Sequence, residues 1–80
     1  MKLPRNLSAD RLVKRLANYG YSATRQTGSH IRLTTTQGGE HHITVPAHGF
    51  LRVGTLNAIL SDVAVHFKKS KEELLQELFG

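Results

Sequence analysis

Between Tyr21 and Val45 apolar and polar residues alternate with a period of two, while on either side the apolar residues recur at helical spacing. That change of period constrains the fold more than any single motif does. The alternating stretch is rich in β-branched residues and is broken only at Thr27-Gly28 and at Gln37-Gly38-Gly39, which predicts a three-stranded antiparallel meander. Ahead of it, Ser8 is placed as an N-cap, Asp10 sits in the first turn, and Leu7 and Leu12 form a hydrophobic staple. Leu12, Val13, Leu16 and Ala17 then supply an apolar stripe, with Gly20 as the stop. Behind it, Pro46 ends the third strand, Ala47 to Arg52 form a loop, and Leu56, Ile59, Leu60 and Val63 mark a second helix. A short third helix opens on a capping box of Ser70 and Glu73. Its Leu74, Leu75, Leu78 and Phe79 either complete the core or meet another chain.

The alternation also predicts a register. Placing Ile31 and Leu33 opposite Val45 and Ile43 requires a three-residue loop, Gln37 to Gly39, with Gly39 in the left-handed position. By the same logic Tyr21 pairs with Leu33 and Ala23 with Ile31 across a loop Gln26-Thr27-Gly28, Gly28 being the structural turn residue. An apolar face of Tyr21, Ala23, Ile31, Leu33, Ile43 and Val45 results. The polar face carries Ser22, Thr24, Gln26, His30, Arg32, Thr34, His42 and Thr44, with no aromatic platform for stacking bases.

The expected class is α+β, in the order α-β-β-β-α. A three-stranded antiparallel sheet with helices on one face, plus a short C-terminal helix, is a double-stranded-RNA-binding-like arrangement. Eighty residues suffice for one domain, so any site lies in a shallow surface groove. The absence of cysteine removes disulfides, thiolate metal sites and thiol nucleophiles. No apolar run has the length of a signal peptide or membrane span, so no membrane contact and a cytoplasmic location are expected.

The net charge is +5, and its distribution is uneven. Up to residue 52, Lys2, Arg5, Arg11, Lys14, Arg15, Arg25, Arg32 and Arg52 are opposed only by Asp10 and Glu40. Arg11, Lys14, Arg15 and Asn18 recur along one helical face, which is either a solvated surface or a nucleic-acid contact. The turn Thr27-Gly28-Ser29 delivers His30, an imidazole able to serve as acid or base, to the start of a strand between Arg25 and Arg32. RNA is therefore the first substrate class indicated. Arg32 is the better-placed cation, since Arg25 is expected near the core edge.

The other histidines read differently. His42 is expected about 13 Å along the sheet from His30, too far to share a metal. His41 is expected at the core edge in a structural role and His66 at a helix C-terminus. Neither ligand spacing nor supporting carboxylates point to a metal site or to any cofactor. His48 follows Pro46, which falls opposite His30, and is a candidate leaving-group acid or phosphate contact, or else a residue that orders its loop.

Gly20-Tyr21, Arg25-Gln26-Thr27-Gly28-Ser29-His30, Ile43-Thr44-Val45-Pro46, His48, and Gly54-Thr55-Leu56 with Ile59-Leu60 together resemble the HicA family of bacterial toxins, the mRNA interferases of HicA/HicB toxin–antitoxin pairs. The resemblance covers roughly residues 8–66 of a single domain, 1–80, leaving 67–80 as a helical extension. It implies a metal-independent endoribonuclease that cleaves mRNA, a HicB-like antitoxin as partner, and His30 as the catalytic residue. Many members carry a second histidine directly after the first, where this chain has Ile31. Two other readings fit the residues: a non-catalytic RNA-binding module, and an inactive member acting through a HicB-like partner.

Overall fold

The computed structural model describes residues 3–80, so Lys2, counted above among the cations, lies outside the described residues. Helix α1 (Ala9–Leu16) runs into a 3₁₀ turn (Ala17–Tyr19), and strands β1 (Ser22–Thr27), β2 (His30–Thr35) and β3 (His41–Pro46) follow. Helices α2 (Val53–His66) and α3 (Lys71–Phe79) complete the chain. The strands form an antiparallel sheet in the order β1-β2-β3. The α+β order α-β-β-β-α with a further C-terminal helix is thus the fold of this protein. No helix among the described residues is long and apolar enough to cross a membrane.

Local chemistry explains the helix ends. The Ser8 side chain accepts a hydrogen bond from the Arg11 amide, and Ser70 with Glu73 closes a reciprocal capping box at α3. Gly20 ends the 3₁₀ turn at φ 82°, and a Cβ there would lie 2.8 Å from Thr35 Oγ1, so both backbone and space demand glycine. The tightening to three residues per turn moves the apolar stripe: Ala9, Leu12, Leu16 and Tyr19 are buried, while Val13 is half-buried and Ala17 exposed.

The core is one cluster. Leu12 and Leu16 of α1 meet Leu33, Ile43 and Val45 of the sheet and Leu56, Ile59, Leu60 and Val63 of α2. Leu74, Leu75 and Leu78 join the same cluster, so the apolar side of α3 completes the core. Thr35 is the one buried polar side chain among the described residues; its hydroxyl donates to the Tyr19 carbonyl at 2.6 Å and accepts from the Gln37 amide at 3.1 Å.

The β2–β3 register follows the apolar alternation, with Ile31 opposite Val45, Leu33 opposite Ile43 and His30 opposite Pro46. At the β2–β3 turn both Gly38 (φ 68°) and Gly39 (φ 104°) take positive φ. The first hairpin differs from expectation. Thr27 pairs with His30 and Ala23 with Leu33, because the turn is the two-residue Gly28-Ser29 and a bulge at Thr24 shifts the rest of β1. Gly28, at φ 54°, is the first central residue of that turn rather than the third of a longer loop, and it alone of the two has positive φ, as a type II′ turn requires. All of β1 is exposed, Ala23 included, whereas the other outer strand, β3, buries Ile43 and Val45.

Tyr21 anchors the other end of the sheet. Its hydroxyl lies 2.7 Å from His41 Nδ1, whose Nε2 is 3.2 Å from Asp62 Oδ1 on α2. Burial, and secondarily the Asp62 charge, push the Tyr21 phenol from 10 up to about 12. A phenol raised on folding favours the folded state until it ionises, so this contribution is present below about pH 10 and is lost as pH rises through about 12. Tyr21→Phe should therefore be less stable than the parent at about pH 9, and the gap should narrow towards about pH 11, as read by denaturant melts.

Candidate functional site

The two-residue turn fixes where His30 stands. It is the first residue of β2, exposed, flanked by Thr27 on β1 and Pro46 on β3. The chain leaving β3 is held beside it: the Ala47 amide donates to the Ser29 carbonyl at 2.6 Å. A few residues on, the Leu51 amide donates to the Leu7 carbonyl at 2.8 Å, and Phe50 forms an antiparallel bridge with Ser8. One end of the molecule thus gathers the His30 turn, the loop bearing His48, and the starts of α1 and α2. His48 is exposed and its side chain, like that of His30, makes no hydrogen bond to another described residue. The two imidazoles share a neighbourhood through their backbones and are not bonded to each other.

The bulge has a second effect, which corrects the position expected for Arg25. It sits directly opposite Arg32, and directly paired residues point to the same side of a sheet. Arg25 therefore belongs to the polar face, and Gln26, opposite Ile31, to the other. The two arginines occupy directly paired positions on one face, both exposed, with no ion pair to a carboxylate of the described residues. Like charges placed opposite each other are unfavourable. The arrangement can be relieved by an anion, and His30 lies two residues along β2 on the same face.

Arg11, Lys14 and Arg15 are exposed on α1. Since α1 buries Leu12 and Leu16 in the core beneath the sheet, their stripe lies on the helical layer and does not join Arg25 and Arg32 on the open face. Arg11, in the first turn, is nearest the gathered end. Helix α2 starts there without a side-chain cap or an acidic residue in its first turn, so its positive pole is uncompensated by its own residues.

The remaining histidines are held by partners. On the open face Thr24, Thr34, His42 and Glu40 form a chain of hydrogen bonds of 2.8, 2.8 and 2.9 Å. His41 stacks on His66, ring centroids 4.3 Å apart, and His66 Nε2 donates to the Gln37 carbonyl at 2.9 Å, tying the end of α2 to the β2–β3 turn. These groups occupy the sheet end opposite His30, about 14 to 17 Å away along β2. Among the described residues no group of three or more histidine, aspartate or glutamate side chains is placed to hold a metal ion. Two features were missed in the sequence. The Tyr21–His41–Asp62 relay joins residues of three elements at separations no motif encodes. Phe50, 68% exposed, sits in a loop outside the alternating pattern.

A family model described as the HicA toxin of bacterial toxin–antitoxin systems matches residues 9–65. Comparison with curated proteins and with solved structures gives no match. The facing arginines make a direct prediction: Arg25→Glu, which pairs with Arg32, should raise the stability of the isolated protein by roughly 0.2–1 kcal/mol, seen as a higher denaturant midpoint at unchanged slope.

Proposed function

The chain belongs to the HicA family of toxins of bacterial toxin–antitoxin systems, and from that premise we infer that it is a metal-independent endoribonuclease that cleaves mRNA through His30. The observation that carries the reading is the unneutralised Arg25–Arg32 pair on the same open face as an exposed imidazole with no competing partner. A phosphodiester fits both: its charge relieves the guanidinium pair, and its ribose 2′-OH supplies a proton for His30 to take. In this mechanism the deprotonated 2′-oxygen attacks the phosphorus, the bond from phosphorus to the 5′-oxygen breaks, and that oxygen takes up a proton. His48, whose loop starts beside Ser29, is the proposed donor of that proton. Arg25 and Arg32 stabilise the phosphate as its charge rises, while Arg11, Lys14 and Arg15, on the helical layer, offer a second and separate basic surface to flanking RNA.

The antitoxin partner implied by the family is proposed to be HicB-like, acting by covering this face. A cytoplasmic location accords with mRNA as substrate.

Because His30 is exposed, His30→Ala should fold normally while cleavage of RNA in the presence of chelator falls at least about a hundredfold. An all-DNA strand should stay intact, having no 2′-OH. Activity that survives the substitution, or that vanishes with chelator, would reject the mechanism; retained binding of uncut RNA by the parent would leave an RNA-binding module. His48→Ala should cost less than His30→Ala and flatten the alkaline limb of the pH–rate profile, as loss of a general acid does. Arg32→Ala should weaken RNA binding across sequences and reduce the slope of log affinity against log salt by about one.

A further inference from the structure

Phe50 is displayed to solvent by a backbone that is tied down. The residue is 68% exposed, whereas Tyr19 and Tyr21 are buried and Phe67 and Phe79 half-buried against the core. The loop around it is anchored at both ends, by Ala47 on Ser29 and by Leu51 on Leu7, and Phe50 itself bridges Ser8. Next to it in sequence, Leu51 is buried, so the register that sends Leu51 into the core sends the Phe50 ring outward. Val53, 54% exposed, stands three residues further on at the start of α2.

The charge around this ring selects its occupant. The segments that meet here, 5–11 and 47–52, carry three cations, Arg5, Arg11 and Arg52, against Asp10 alone. A partner must offer a flat apolar face and negative charge together. An unpaired nucleotide does both, through its base and its phosphate. The position also suits a flanking nucleotide: Phe50 is three residues from Ala47, a span of at most about 11 Å, and Ala47 is bonded to the neighbour of His30.

We propose that Phe50 is a stacking platform for an unpaired base adjacent to the phosphate presented to His30, so that it positions single-stranded RNA and biases cleavage against paired RNA. This rests on the ribonuclease reading above and adds to it a positioning residue outside the sheet face. Base-aromatic stacking tolerates any base, so the platform confers strandedness preference rather than sequence preference.

The chain has no tryptophan, so Phe50→Trp introduces a single indole at the platform, read by excitation at the red edge where Tyr19 and Tyr21 do not absorb. A 2′-O-methyl RNA oligonucleotide serves as probe, since its blocked 2′-oxygen prevents cleavage. Its addition should quench the Phe50→Trp emission, and the same oligonucleotide made abasic should not. Phe50→Ala should bind the probe about tenfold more weakly than the parent, while Phe50→Tyr stays within about twofold. On cleavable single-stranded RNA, Phe50→Ala should raise KM with little change in kcat, and the parent's preference over duplex RNA should shrink. Parent-like affinity in Phe50→Ala, with no quenching of Phe50→Trp, would overturn the platform while a parent that still cuts RNA through His30 keeps the ribonuclease reading. A parent that neither binds nor cuts RNA overturns both. Loss of antitoxin binding in Phe50→Ala with RNA binding intact would reassign the ring to a protein interface and overturn the proposal.

Discussion

The parity of β2 is the constraint on which the rest of the molecule depends. As the central strand, it must turn Ile31, Leu33 and Thr35 towards the helices, and this obliges His30, Arg32 and Thr34 to face the other way. A slip of one residue would put an arginine where Leu33 meets Val45 and the leucines of α2, so the apolar core holds the register. Thr35 is tolerated inside only because its hydroxyl both donates and accepts a hydrogen bond. The exposure of the imidazole and guanidinium groups is thus a consequence of how the core is packed.

Polar satisfaction is distributed unevenly across the fold. Among the described residues no buried side-chain nitrogen or oxygen lacks a partner. At the β2–β3 turn, Tyr21, His41, Asp62, His66 and Gln37 satisfy one another, and Lys69 and Tyr19 both reach Glu77 on α3. At the opposite end the facing arginines, His30, His48 and the start of α2 have no internal counterpart of that kind. Groups already neutralised hold structure together; groups left unneutralised at the surface are those with interaction energy to give to an anion. That asymmetry separates the two ends of one small sheet, and the self-satisfied end accounts for three of the five histidine rings, His41, His42 and His66, as structural contacts.

Much of this was legible in the residues. The three strands, the caps at Ser8 and Ser70, the pairing of Leu33 with Ile43 and the outward direction of His30 follow from local patterns whose physics acts within a few residues. The position of Arg25 was not legible. A two-residue turn with a bulge and a three-residue loop without one use similar residues, and the choice is made by how β1 must lie against β2 after Tyr21 has been fixed in the core. The burial of α3 was open for the same kind of reason: its apolar side shows that it needs a cover, and only the assembled core shows that α1 and α2 leave room for Leu74 and Leu78.

The sequence by itself therefore determined the element order, the face on which His30 stands and the excess of positive charge ahead of residue 53, because periodicity, capping and net charge are properties of neighbours along the chain. Tertiary structure alone decided which cations face each other, which histidines are tied up, and that an aromatic ring is held open beside the basic end. Those outcomes depend on pairings between β1 and β2, between Ala47 and Ser29, and between Leu51 and Leu7. Contacts of that kind are selected by the packing of the whole core, and no local pattern of residues specifies them.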